Sequence, residues 1–465
     1  MNLRSLLSIT LLLSVSTGFS FQQQKSPPNI IIIMADDLGY GDLSSYGSEI
    51  RTPNIDRMAE NGIRFTDFYA AAPVCTPSRY SLMTGSYPQR SMHELTNVIM
   101  PGDNNRYLDK SETTIAQYLK KANYNTALVG KWHLGLETGS SMPSDFGFDS
   151  FYGFTGGALD YYYHAYAKDK MDWYVNNKLT KEEGYVTDLL TNHAINYIEK
   201  VRRNGRPFFL YLPYNSPHYG KTDTTLLKEG YTIAVGDAKA AGAHVINSLQ
   251  VPAKYLDRFQ HIKDPYRRAY AAMVSNLDDN VGKLMLKLDN DGLLENTMIW
   301  FISDNGGYSQ TQKGHASNGE LRGEKASLYE GGIRVPAIVS WKGRIKDRQV
   351  VSQPIVNADL LPTIATITNT QKYLRKGKID GRDMGSTIFN NKVFDRDIFW
   401  KYNSQSALRS GKWKLVNNRE LYDLSADIGE SNNLALKFPG MTKELQQKFK
   451  TIEQSLIPAK IIPNK

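Results

Sequence analysis

The sequence predicts an α/β sandwich: a mainly parallel central sheet covered by helices, followed by a small antiparallel sheet with one helix. Three observations predict it. The run Asn29-Ile30-Ile31-Ile32-Ile33-Met34-Ala35 is apolar without alternation, as in a strand buried on both faces of a parallel sheet. Similar runs recur at 126–129, 208–212, 298–302 and 335–341, with helical patterns between them. From about Phe394 the texture changes to short alternating segments, 398–402, 407–409, 413–416 and 420–424, before a helical stretch over 442–457.

Taken in order, Arg4, an apolar stretch over 6–15 and the small residues Gly18 and Ser20 read as a Sec-type export signal over 1–20. That stretch is short for a bilayer span and no second candidate follows, so a periplasmic or secreted protein without a stable membrane anchor is expected. A catalytic α/β domain is expected over 26–390 and a C-terminal α+β subdomain over 391–465. Ser111 is expected to cap a helix running through Tyr118 and Leu119. Residues 188–200 are amphipathic. Tyr266, Tyr270, Val274, Leu277, Val281, Leu284 and Leu288 keep helical spacing until Asn290-Asp291-Gly292 ends it.

Apolar residues make up 41% of the 465, enough for a large core and too many for disorder. The formal charge is +9. A basic surface favours polyanionic partners. The excess is spread along the chain, and no compact Lys/Arg cluster with interleaved aromatics marks a nucleic-acid site. The chain has a single cysteine, Cys75. An exported protein with one thiol holds no internal disulfide, so Cys75 is either a small buried hydrophobe or a residue kept for chemistry.

In open α/β sheets, active sites collect at the carboxyl ends of the strands. The residues just after the apolar runs are Asp36-Asp37, Lys131-Trp132-His133, Ser216-Pro217-His218 and Asp304-Asn305. Asp36, Asp37, Asp304 and Asn305 make a hard, oxygen-only set suited to calcium or magnesium and not to zinc. Cys75 opens Cys75-Thr76-Pro77-Ser78-Arg79. With Thr76 as N-cap, Pro77 in the first turn and Gly85 closing, Cys75 is expected just before a helix N-terminus, where an anion is favoured. Arg79 lies one turn on. A soft thiolate beside a hard-cation site is a mismatch, whereas an oxygen nucleophile there would fit.

Cys75-Thr76-Pro77-Ser78-Arg79 with Met83-Thr84-Gly85 resembles the signature of the formylglycine-dependent sulfatases. Gly130-Lys131-Trp132-His133-Leu134-Gly135 and Asp304-Asn305-Gly306-Gly307 resemble further blocks of that family. So do Leu321-Arg322-Gly323-Glu324-Lys325 and Glu330-Gly331-Gly332-Ile333-Arg334. The resemblance implies an alkaline-phosphatase-like sandwich and a Cys75 oxidised to formylglycine by a formylglycine-generating or anaerobic maturation enzyme. It implies one calcium held by Asp36, Asp37, Asp304, Asn305 and the modified Cys75. It also implies charge-offsetting roles for Arg79, Lys131 and Lys325, a leaving-group acid at His218 and a base at His133. The expected reaction is hydrolysis of a sulfate ester, with a sulfated polysaccharide or oligosaccharide as substrate. The nearest alternative is a phosphate ester or phosphonate hydrolase of the same superfamily, which often carries a second metal; only one complete oxygen-ligand set is present here.

Among the remaining histidines, His164 beside Tyr161-Tyr162-Tyr163 and His315 between Asp304-Asn305 and Lys325 are expected to contact the sugar. His193 falls within a helical pattern, and His93, His244 and His261 belong to no motif.

Overall fold

The computed structural model describes residues 27–136, 141–167, 170–226, 230–235, 244–309, 315–375 and 377–456; the expected export signal lies outside them. The central sheet has ten strands in the order Gln349–Val351, Gly62–Phe65, Ala337–Ser340, Thr297–Ser303, Asn29–Ala35, Phe208–Pro213, Asn125–Lys131, Ser150–Phe154, Tyr174–Val175 and Lys178–Leu179. The five strands from Thr297–Ser303 to Ser150–Phe154 are mutually parallel. The apolar run at 335–341, read with the parallel strands, instead yields Ala337–Ser340, antiparallel to Thr297–Ser303.

The isoleucine run explains the layering. Ile31, Ile33 and Ala35 face one core with helices Pro53–Glu60, Val186–Val201 and Pro265–Asn290. Ile30, Ile32 and Met34 face a second core with helices Cys75–Thr84, Ile115–Lys121 and Leu360–Ile367. Successive side chains of a strand point to opposite faces, so an unbroken apolar run requires a cover on each.

Two helix starts differ from the sequence expectation. Thr114, not Ser111, caps Ile115–Lys121: its Oγ1 accepts from the Gln117 amide at 3.3 Å while Gln117 Oε1 accepts from the Thr114 amide at 2.9 Å. This reciprocal pair satisfies two backbone donors and outcompetes an earlier start. The second helix begins at Cys75 with Val74 at the N-cap, so Thr76 does not cap it; Thr76 Oγ1 accepts from the Ile99 amide instead. Gly85 closes that helix in the left-handed region at φ 70°.

The C-terminal sheet, Asp397–Tyr402, Gln405–Ser410, Trp413–Val416 and Glu420–Asp423, is an antiparallel meander packed by helix Pro439–Leu456. Buried charges tie it to the larger unit. Lys414 Nζ lies 2.8 Å from both Glu330 and Glu430, and Arg409 pairs with Asp67 at 2.6 Å. Arg396 pairs with Asp359. The Glu330–Arg334 segment thus helps anchor this sheet.

Burial, reinforced by the neighbouring Glu330 and opposed by Lys414, raises the Glu430 carboxyl to about 7. A carboxyl raised on folding stabilises most below its unfolded value and loses that contribution as pH climbs through its folded value. Glu430→Gln should therefore gain melting temperature relative to the parent as pH rises from 5 to 8; a constant difference across that range would contradict the assignment.

Candidate active site

The carboxyl ends of the central strands meet at one buried cluster. Asp36 and Asp37 follow Asn29–Ala35, Lys131 ends Asn125–Lys131, His218 follows Phe208–Pro213, and Asp304 and Asn305 follow Thr297–Ser303. All are buried, as are Cys75, Arg79, His133 and Lys325. Lys131 Nζ donates to Asp36 Oδ2 at 2.6 Å, and Lys325 Nζ sits 2.7 Å from the Asp37 carboxylate. Arg79 reaches Asp304 Oδ2 at 2.8 Å and lies 3.6 Å from Asp36 Oδ1. The Asp37 amide donates to Asp304 Oδ1 at 3.1 Å, and Asn305 Nδ2 donates to Asp37 Oδ1 at 2.7 Å.

These contacts set the electrostatics. Burial and the neighbouring Asp36 raise Asp304 to about 6. Burial also raises the Cys75 thiol, opposed by Lys131 and Lys325 and reinforced by Asp36 and Asp304; the thiol lies in the field of the whole cluster. A thiol so held is a poor thiolate.

The residues present suit a hard cation. Asp36 Oδ1 and Asn305 Oδ1 are buried without a hydrogen-bond partner among the described residues, an arrangement that is costly unless something else meets those oxygens. Asp36, Asp37 and His218 can each turn a ligand atom to within 4.8 Å of the others. His218 Nδ1 is 2.7 Å from the Tyr219 carbonyl and its Nε2 is 3.4 Å from Asp37 Oδ2.

His133 Nε2 is 3.0 Å from the Ile99 carbonyl. A neutral ring donating there carries its lone pair on Nδ1, which has no partner among the described residues. Asp37, His133 and Ala326, next to Lys325, adopt left-handed backbone at φ 60°, 50° and 69°. Such strain in non-glycine residues gathers where surrounding structure holds functional groups in place. Gly157 packs flat on the His133 ring; a Cβ there would lie 2.7 Å from Cε1, so no larger residue fits without moving the imidazole.

Several positioning residues carry no sequence signal of their own. Asn357 Nδ2 donates to Ser78 Oγ and O, and the Ser78 hydroxyl donates to the Asp304 carbonyl, fastening the Cys75 helix to the end of the Thr297–Ser303 strand. The Tyr161 hydroxyl lies 2.9 Å and 2.8 Å from the carbonyls of Asn215 and His218, bracing the His218 loop.

Neither expected sugar contact is exposed. His164 is fully buried, stacks on Trp173 and has Nε2 3.0 Å from the Gly184 carbonyl; it belongs to the core, as does Tyr161. His315 is also buried, packed near Tyr270 and Tyr308, with its carbonyl accepting from Arg267. His193 bonds Glu182 and stacks on Tyr152. A cavity of about 500 Å³ opens beside His133, lined by Ile99, Thr155, Gly157, Tyr166, Lys170 and Asp172 among others. Among the described residues, no helix is long and apolar enough to cross a membrane.

The family model named Sulfatase matches residues 28–370. The chain belongs to the sulfatase family. Among curated relatives it is 31% identical over 445 residues to the N-acetylgalactosamine-6-sulfatase of Rattus norvegicus, covering 90% of this chain and 77% of that one. It is 30% identical over 494 residues to the N-acetylgalactosamine-6-O-sulfatase of Bacteroides thetaiotaomicron, covering 93% and 94%. Among solved structures, Ps i-CgsB in complex with k-i-k-neocarrahexaose superposes with a TM-score of 0.81 at 31% identity, covering 93% and 94%. The enzyme is a sulfatase that hydrolyses sulfate esters, and its fold is the alkaline-phosphatase-like sandwich of the family.

Proposed function

We propose that this sulfatase removes sulfate from a sulfated polysaccharide or its oligosaccharides, using Cys75 after conversion to formylglycine and one calcium ion. The observation that carries the proposal is the setting of Cys75: a buried helix start in the field of Lys131, Lys325, Asp36 and Asp304. The hydrated aldehyde supplies paired hydroxyls, one for attack on sulfur and one for expulsion of sulfate. Calcium, held by Asp36, Asp37, Asp304, Asn305 and the modified Cys75, supplies Lewis acidity.

The chain's own residues do the rest. Arg79, Lys131 and Lys325 are fixed positive charges in a water-poor site, where they oppose the negative charge that builds on the sulfuryl oxygens. Burial and Lys131 hold His133 well below its usual range, so it rests neutral, with Nδ1 open as a base. Burial likewise holds His218 low against the pull of Asp37. A bound anionic ester favours its protonated form, and Nε2–H can then be passed to the leaving sugar oxygen. Support for a saccharide comes from the names of the two relatives, from the sugar bound by Ps i-CgsB and from the cavity beside His133, whose size suits a small ligand.

The test is sulfate release across defined sulfated oligosaccharides, aryl sulfates and phosphate esters. A sulfated saccharide should give the highest kcat/KM, because only it can use binding energy in the cavity at the transition state. Faster turnover of a phosphate ester than of every sulfated sugar would reassign the enzyme. His218→Ala should lower kcat on the sugar by roughly 10²- to 10⁴-fold and on a nitrophenyl sulfate far less, since that leaving group needs no proton. Equal losses on both would remove His218 from the acid's role.

A further inference from the structure

One cation near the site is not used by this chemistry. Lys221 lies on the Gly220–Asp223 strand, which leaves the His218 loop. Its ammonium sits 5.6 Å from the Tyr166 ring centre and 5.8 Å from that of Tyr219, and the Tyr219 ring packs against His218 at 4.1 Å. Its hydrogen-bond partner is a neutral oxygen, Asn247 Oδ1 at 2.6 Å. Among the described residues no carboxylate lies within ion-pair distance of it, whereas Arg79, Lys131 and Lys325 each have one. The ammonium is partly buried, and burial alone lowers its pKa.

The position is built into the fold. The Lys221 amide donates to the Leu159 carbonyl at 3.2 Å, joining this strand to the segment whose Gly157 supports His133. A Cβ on Gly220 would come within 2.9 Å of the same carbonyl, so only glycine permits the close approach. Tyr166 also lines the cavity beside His133, whose wall includes Lys170 and Asp172. Tyr166 thus joins the cavity wall to the Lys221 ammonium, and Tyr219 joins that ammonium to His218. A half-desolvated ammonium beside two rings is a favourable counter-ion for a ligand anion, since no carboxylate among the described residues pairs with it.

Resting on the saccharide reading above, we propose that Lys221, with Tyr166 and Tyr219, forms a subsite for a second anionic group of the substrate. The enzyme thus prefers sugars that carry another sulfate or a carboxylate besides the sulfate it removes. The rings supply the sugar-stacking surface and Lys221 the charge.

Two matched substrate pairs test this: a disulfated against a monosulfated oligosaccharide, and a uronate-containing against a neutral one with the same scissile sulfate. The parent enzyme should favour one dianionic member. Lys221→Gln should cut that preference, as a ratio of kcat/KM values, by about 10- to 100-fold, the worth of a charge-assisted contact. Lys221→Arg should keep most of the preference. Asn247→Asp, which gives Lys221 an internal carboxylate while leaving the lysine in place, should lower it as Lys221→Gln does. The pair that responds identifies the anion as sulfate or carboxylate. No preference in the parent, or one that persists in Lys221→Gln and Asn247→Asp, would overturn the subsite. Failure of the matured parent to release sulfate from any saccharide would contradict the saccharide reading instead. Calorimetric binding of the same pairs to Cys75→Ser, with and without Lys221→Gln, then decides the subsite independently of turnover.

Discussion

Cys75→Ser is expected to abolish turnover, with steady-state kcat at least about 10⁴-fold below the matured parent. The substitution is nearly isosteric, and Cys75 is a fully packed first residue of its helix, so folding should be unaffected. A serine offers one hydroxyl. Once it has taken the sulfuryl group it has no second hydroxyl to drive release, and His133 has no proton to remove. The comparison should use sulfate release over many enzyme equivalents, with the melting temperature as a control for folding. Multiple turnovers at near-parent rate by Cys75→Ser would exclude the aldehyde chemistry.

Asp304→Asn should have an effect of comparable size through a different route. Asp304 faces Arg79 on one oxygen and the Asp37 amide on the other, and burial and the neighbouring Asp36 disfavour its charge. Converging carboxylates need a cation, and removing one carboxylate weakens the hard-oxygen set. Alanine would also remove the oxygen that accepts from Arg79 and leave a void, so asparagine is the cleaner substitution. Bound calcium should fall from one per chain to a small fraction, and kcat/KM by at least about 10³-fold, the several kcal/mol a metal supplies to such a transition state. Elemental analysis beside the rate decides it. Full activity in chelated parent enzyme shown to be metal-free would contradict the calcium reading.

The central sheet and its strand-end residues were legible in the sequence because both follow from simple periodicity. An unbroken isoleucine run must be covered on both faces, and a parallel sheet gathers the residues after its strands at one edge. That logic brings Asp36, Asp37, Lys131, His218 and Asp304 together without knowledge of loop paths. Arg79 came from helical spacing, and Lys325 only from the family resemblance. What was illegible depended on long-range packing. Nothing local distinguishes His164 in a sugar-binding loop from His164 stacked on Trp173, because the deciding contacts to Trp173 and Gly184 come from later in the chain. Ser111 and Thr114 are both acceptable caps, and only the Gln117 side chain selects Thr114. Glu330 and Arg334 read as part of a family block, yet their work is structural. Glu330 meets Lys414 across the junction with the C-terminal sheet, and Arg334 holds Asp67, which pairs with Arg409 of that sheet; no spacing in the sequence encodes these pairings.

The most direct test of the central claim is the mass of one peptide. Trypsin should release residues 65–79 intact, since Arg64 and Arg79 bound a segment with no other lysine or arginine. In enzyme made in a host with a formylglycine-forming system, this peptide should carry the aldehyde mass at Cys75, and specific activity should rise in proportion to the converted fraction across preparations. A fully active preparation in which the peptide carries only the intact thiol would contradict the account.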